Sequence, residues 1–160
     1  MKLLLIQGAN MEYLGRRQPE IYGRTTAAEL DQMLLAEAAR RNIELRIRYS
    51  NIEGEAINFI YEADRAGWNG LLINPAGFHY AGHALKDCLR GIAMPTVEIH
   101  ISNIDKRGMR SVTAEAAVGM ISGFGLNSYF LAIEAMVRHL AGSKSCSTAL
   151  SPATLNRTDP

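Results

Sequence analysis

The sequence predicts an α/β fold: a parallel sheet covered by helices on both faces. Two observations carry that expectation. Five apolar runs recur along the chain, and segments of helical periodicity separate most of them. The runs KLLLIQG (2–8) and GLLIN (70–74) are continuously apolar, as buried parallel strands are. Right-handed crossovers then limit the topologies to a few.

The elements follow in order. Residues 2–8 form the first strand. ANMEYLGRRQPEIYGR (9–24) is polar, Gly-containing and without clear periodicity. Thr26 opens a helix, with Glu29 three residues on as in a capping box. Ala27, Leu30, Leu34 and Ala38 keep one face of that helix apolar. IELRIRY (43–49) alternates apolar and charged residues, the pattern of a half-exposed strand. Ile52, Ala56, Ile60 and Ala63 share a helical face within 52–66, before the strand GLLIN. Ala81, Ala84, Leu85, Cys88, Leu89 and Ile92 do the same within 81–92. PTVEIHI (95–101) and AAVGMISG (116–123) read as the last two strands. Residues 127–141 are apolar nearly all round, which predicts a helix packed on both sides.

Composition bounds the rest. At 160 residues, 48% hydrophobic, the chain fits one globular domain. Its net charge is +1 and it has no long basic run, which argues against nucleic acid as main partner. No apolar run approaches the roughly 18 residues of a membrane span, and MKLLLIQGAN is too short for a signal peptide. Cys88 and Cys146 are too few for a disulfide framework or a zinc site. The expectation is a cytoplasmic domain over residues 1–141, followed by a flexible tail over 142–160.

In such folds, sites form beyond the carboxyl ends of the strands. Two groups there can do chemistry. The long segment after the first strand carries Asn10, Arg17 and Tyr22, and loops of that length are often lids. A phenol has an ordinary pKa near 10, so ionising one at pH 7 costs roughly 4 kcal/mol. A neighbouring guanidinium offsets part of that cost. By spacing alone, a solvated arginine and a tyrosine packing the loop explain the pair better. After the fourth strand, Glu98 and His100 are two apart and so point to the same side. A carboxylate beside an imidazole fixes its tautomer and favours its protonated form, the form a general acid needs. Ser102 and nearby backbone amides suit a carboxylate ligand. A chance pairing at a strand end is equally consistent with the spacing. Among the remaining residues, His83 reads as a packing or subunit contact, Trp68 as a loop anchor or subunit contact, and Cys88 as inert. No Gly-rich phosphate loop follows the first strand, which argues against a nucleotide-binding reading.

Taken in order, GANMEYLGRRQPEIYG, SNIEGE, INPAG, ALKDCL, VEIHISNI and AVGMISGFG resemble the type II 3-dehydroquinate dehydratases over about residues 1 to 141. The resemblance implies a flavodoxin-like three-layer sandwich with strand order 2-1-3-4-5, and a homododecamer built as four trimers. It implies trans elimination of water from 3-dehydroquinate through an enolate, with no metal or organic cofactor. Tyr22 then resembles the base and Arg17 the lid arginine beside it. Asn10 is similar to the asparagine that stabilises the enolate oxygen. His100 resembles the general acid and Glu98 its orienting partner. Asn74, Ser102 and the amide of Ile101 resemble the carboxylate site. Asp87 is similar to an aspartate that reaches a neighbouring subunit's site.

Two stretches depart from the family pattern. After the third strand the family runs Asn-Pro-Gly-Ala-Tyr-Thr-His-Thr, whereas this chain runs Asn74-Pro75-Ala76-Gly77-Phe78-His79-Tyr80-Ala81. Tyr80 therefore stands at the histidine that contacts the substrate's ring hydroxyls, with His79 beside it. The stretch after HISNI is shorter and lacks the family's histidines and tyrosine, with Arg110 as counterpart of a hydroxyl-binding arginine. Rebuilding that side changes which ring fits more than which reaction occurs. Three readings follow: a 3-dehydroquinate dehydratase in which His79 or Tyr80 replaces the missing histidine, a relative acting on another cyclic carboxylic acid, and a non-catalytic scaffold.

Overall fold

The computed structural model describes residues 1–147. Five strands, β1 (Lys2–Ala9), β2 (Glu44–Tyr49), β3 (Gly70–Ala76), β4 (Thr96–His100) and β5 (Gly119–Ser122), form one sheet in the order β2-β1-β3-β4-β5. Every neighbouring pair is parallel. The helices are α1 (Pro19–Tyr22), α2 (Ala27–Arg40), α3 (Glu53–Arg65), α4 (His83–Gly91) and α5 (Asn127–Ser147). The expected class, strand order and layering are those observed.

Side-chain alternation along the central strands builds two cores. Leu3, Leu5, Leu72, Val97 and Ile99 face one side and pack on Leu30 and Leu34 of α2 and on Ala132, Ile133 and Met136 of α5. Leu4, Ile6, Leu71 and Ile73 face the other side, against Ala56 and Ile60 of α3 and Leu85, Cys88 and Leu89 of α4. Fully burying one such leucine or isoleucine contributes about 1.5–3 kcal/mol. Trp68 anchors the turn into β3 within the second core, with the Arg46 guanidinium stacked 4.6 Å from its ring centre.

The capping box at α2 is present in full: Glu29 N–H donates to Thr26 Oγ1, and Thr26 N–H donates to Glu29 Oε2 at 2.7 Å. Elsewhere the pattern reading needed adjustment. The segment after β1 is not structureless; it holds a 3-10 turn (Met11–Tyr13) and then α1. Strand β5 is shorter than the run 116–123, because residues 113–116 form a 3-10 turn. Within this chain α5 buries one face, and Leu131 on the other is 44% exposed. The helix also continues to Ser147, beyond residue 141. The rest of the expected tail, 148–160, lies outside the described residues.

The end of β3 is unusual. Gly8 of β1 passes so close to it that a Cβ there would lie 2.2 Å from the Pro75 carbonyl oxygen. Ala76 then adopts φ 45°, ψ −119°, a region that L residues with a Cβ avoid. Gly77 follows, where a Cβ would come within 3.1 Å of the Ala9 methyl group. The glycine thus stands at the position of close approach, and the alanine carries the strained backbone. Ala76→Gly is expected to stabilise the fold by about 1 kcal/mol, strain relief of about 1–3 kcal/mol less the entropy cost of glycine. Urea denaturation that gives an unchanged or lower midpoint for this variant would refute the strain.

Candidate active site

The loops leaving β1, β3 and β4 line an open cleft at the carboxyl end of the sheet, about 610 Å3 with the solvent at its mouth included. It brings together Asn10, Arg17, Tyr22, Asn74, His79, Tyr80, His100, Ile101 and Ser102. Parallel strands all end on this side, so segments far apart in sequence converge there. Asp87 and Arg110 lie on the exposed surface and do not line the cleft within this chain. His83, the first residue of α4, is likewise exposed and apart from it.

Beneath the floor lies Glu98, 0% exposed. Its Oε1 meets His100 Nε2 at 2.7 Å, and its Oε2 accepts from Thr113 Oγ1 at 2.7 Å. Thr113 Oγ1 in turn lies 3.0 Å from Ser111 Oγ. A carboxylate held out of water needs such partners on both oxygens. The arrangement gives His100 a fixed ring orientation, with Nε2 bearing the proton that Glu98 accepts. Nδ1 is left as the second working nitrogen. Thr113 and Ser111 carried no signal in the sequence. They follow the rearranged stretch after β4, and their contact with Glu98 is made only by the fold.

The other wall belongs to the segment after β1. Tyr22, the last residue of α1, is half-buried, and its hydroxyl accepts from Arg107 Nη1 at 3.1 Å. The same Nη1 donates to Ser102 Oγ at 2.9 Å. Arg17 lines the cleft as an exposed side chain, and the guanidinium hydrogen-bonded to the tyrosine comes from the loop after β4. Arg107 was missed by sequence reasoning, which singled out Arg110 as the arginine of that loop. The shortened loop places Arg107 in the cleft, while the Arg110 charge helps hold the Glu115 carboxyl below its ordinary range, after the nearer Lys86.

Two asparagines are fixed by different means. Asn10 ends β1 in a left-handed conformation, φ 74°, and its N–H donates to Asn51 Oδ1 at 2.7 Å, tying the loops after β1 and β2 together. Asn74 is buried; its Nδ2 donates to Tyr129 Oη at 2.8 Å, and its Oδ1 accepts from Ala76 N–H at 3.1 Å. Tyr129 passes its own proton to Gln7 Oε1 at 2.8 Å. Burial pushes the Tyr129 hydroxyl well above its ordinary pKa, so it stays a neutral donor in this row. One N–H of the Asn74 amide remains for a ligand.

His79 is 5% exposed on the wall formed by the loop after β3. Its Nδ1 is hydrogen-bonded to the carbonyl oxygen of Ala76, the strained residue. Its ring lies 3.9 Å from that of Tyr80 and 5.5 Å, edge to face, from that of His100. Burial pushes its pKa below the ordinary histidine value, opposed by the Ala76 hydrogen bond, so the ring is neutral at pH 7. Tyr80 is 62% exposed, and its hydroxyl points to Met109 Sδ at 3.0 Å, across the cleft mouth.

The family model for class II dehydroquinases matches residues 1–137. The chain belongs to this family. It is 41% identical over 143 residues to the 3-dehydroquinate dehydratase of Clostridium perfringens strain SM101, covering 88% of this chain and 98% of that protein. To the 3-dehydroquinate dehydratase of Dictyoglomus turgidum it is 42% identical over 139 residues, covering 85% and 95%. The crystal structure of the type II dehydroquinase from Butyrivibrio crossotus superposes with a TM-score of 0.83 at 35% identity, covering 86% of this chain and 97% of that one. A 3-dehydroquinate dehydratase-like protein from Bifidobacterium longum is more distant, with a TM-score of 0.65 at 25% identity, covering 89% and 98%.

Within this dehydroquinase-family chain, the Glu98–Thr113 contact gives the most direct test of how the site is held. Thr113→Val keeps shape but removes the hydroxyl, leaving one oxygen of a buried carboxylate unpaired. The expected cost is about 1–3 kcal/mol of stability. Thr113→Ser should restore most of it. Urea denaturation of both variants decides the matter, and equal midpoints for the valine and wild-type proteins would show the contact to be unimportant.

Proposed function

We propose that the chain removes water from 3-dehydroquinate to give 3-dehydroshikimate, by trans elimination through an enolate. The observation that carries this reading is the pairing of two groups across one cleft. On one side is a phenol whose hydroxyl meets a guanidinium. On the other is an imidazole whose Nε2 is held by a buried carboxylate. Relatives that share over 40% identity across most of both chains carry the dehydratase name.

In this mechanism Tyr22, as phenolate, takes the proton from the carbon beside the ring ketone. Positive charge from Arg107, and from Arg17 as the lid segment settles, stabilises the phenolate oxygen. The C–H electrons move into the enolate, and Asn10 donates to the enolate oxygen. Elimination then expels the ring hydroxyl, and His100 supplies its proton while Glu98 steadies the imidazolium. Asn74, Ser102 and the Ile101 amide hold the carboxylate. Ser102 Oγ accepts from Arg107, which leaves its own proton to donate. A second reading keeps the same acid and base on another cyclic carboxylic acid. It is favoured by Tyr80 and His79 in the loop after β3 and by the entry of Arg107, not Arg110, from the loop after β4.

The first reading is tested by mixing the protein with 3-dehydroquinate and following the conjugated enone absorbance of the product. Tyr22→Phe and His100→Ala are each expected to lower kcat by on the order of 10²–10⁴. Wild-type protein that produces no enone, yet turns over another cyclic acid with dependence on Tyr22, would favour the second reading.

The proposal includes assembly into a dodecamer, in which Asp87 reaches a neighbouring protomer's cleft. Support comes from apolar side chains left open around the edge strand β5, with Val118 54% and Phe124 61% exposed. Light scattering is expected to give the mass of twelve protomers; a monomer active at full rate would remove Asp87 from the site.

A further inference from the structure

We propose that Thr113 is a positioning residue of the reaction: acting through Glu98, it keeps the proton that Glu98 and His100 share on the imidazole. The inference rests on His100 being the acid of the proposed dehydration, and adds the group that sets where its proton lies.

Every proton in this row can be assigned. Thr113 Oγ1 lies 2.7 Å from Glu98 Oε2, and an ionised carboxylate only accepts, so the threonine donates. A hydroxyl has one proton to give, so in the 3.0 Å contact between Ser111 Oγ and Thr113 Oγ1 the serine is the donor. On the far side Glu98 Oε1 accepts from His100 Nε2 at 2.7 Å. All four residues are buried. Donors in series polarise one another where water is scarce, so Ser111 strengthens the Thr113 donation.

The fold aims the Thr113 hydroxyl. Its methyl group lies where a Cβ on Gly82 would come within 3.2 Å of it, and a β-branched side chain is stiff at χ1. A methyl packed beside Gly82 turns the hydroxyl toward Glu98. Thr113 does not line the cleft, so any effect on the reaction passes through its neighbours.

When the Glu98–His100 pair holds two protons, they have two arrangements. In one, the carboxylate is ionised and the ring is an imidazolium. In the other, the carboxyl group keeps a proton and the ring is neutral. Burial favours the second, because the interior solvates charge poorly. A hydrogen bond donated to the carboxylate favours the first, and Thr113 supplies it. The imidazolium is the stronger acid. As the C–O bond breaks, its electron pair leaves with the oxygen, the His100 Nδ1 proton completes the water, and Nε2 keeps its own proton. The other charged or titratable groups nearby are His79, edge to face with His100, and Arg107, whose charge acts on the His79 ring. Substitutions at residue 113 leave both in place.

Thr113→Val is expected to lower kcat about 10- to 100-fold while KM stays within about threefold. In deuterium oxide, Tyr22 still forms the enolate but the hydroxyl leaves less often. Recovered 3-dehydroquinate should therefore carry about 10-fold more label beside the ketone per enone formed. Thr113→Ser should return both readouts most of the way. The nitrogen NMR resonance of His100 Nε2 is followed as the pH falls and the pair takes up its second proton. It should remain that of a protonated nitrogen in wild-type protein and move toward that of a bare nitrogen in Thr113→Val. Ser111→Ala should change each readout in the same direction by less, about 2- to 5-fold in kcat.

A label-to-enone ratio unchanged by valine, a serine variant as slow as the valine one, or an unmoved Nε2 resonance would overturn the inference. If the valine variant does not fold, Ser111→Ala decides: a raised ratio upholds the inference and an unchanged one overturns it. The NMR measurement needs no substrate, so the outcomes are separable from those of the dehydratase reading. A proton lost from Nε2 in Thr113→Val, in a protein that forms no enone, leaves Thr113 its role and removes the reaction. Enone formation with an unchanged ratio does the reverse.

Discussion

The site depends on one buried negative charge. Glu98 sits in β4, between β3 and β5, where water cannot solvate it, so the fold must supply partners for both oxygens. His100 takes one and Thr113 the other. The first contact fixes the orientation of an imidazole at the strand end. The second fastens the chain between β4 and β5 back onto the sheet, so that Val112 N–H reaches the His79 carbonyl oxygen at 3.0 Å. A single carboxylate thereby links the His100 imidazole, the loop that carries Arg107, and the wall that carries His79.

The cleft divides into two physical regimes. Around the half-buried Tyr22, Arg17 and Arg107 are long, charged and exposed, which suits groups that must close over a ligand and release it. On the sheet side, Asn74, His79, His100 and Glu98 are buried and hydrogen-bonded, Asn74 to buried Tyr129, His79 to the Ala76 carbonyl oxygen, and His100 to Glu98. The first side sets positive charge beside the Tyr22 hydroxyl, and the second is held in place before any ligand arrives. Gln7 and Tyr129 belong to the second regime although neither touches the cleft, because they decide which way the Asn74 amide faces.

Much of this was legible in the sequence, for physical reasons. Periodicity located the strands and helices because burial of one face forces it. The capping box at Thr26 and the Glu98–His100 spacing survive as observed contacts because each is local, three and two residues apart. The contacts that were not legible are long-range or depend on loop length. Arg107, Thr113 and Tyr129 each meet the site across a fold that spacing cannot report. The choice of Arg107 over Arg110 turned on a shortened loop whose register no local pattern fixes. The segment 9–24 had no clear periodicity because its helical turns are too short to show one.

The Ala76-Gly77 pair has a consequence for how this loop can change over evolutionary time. Exchanging the two residue types one at a time requires an intermediate. The double alanine combines the strained backbone at 76 with a methyl pressed toward Ala9 at 77. The double glycine meets neither obstacle. Of the two single-step intermediates, the double glycine is therefore the less strained in this backbone. It also gives the peptide whose carbonyl oxygen meets His79 Nδ1 its widest backbone freedom.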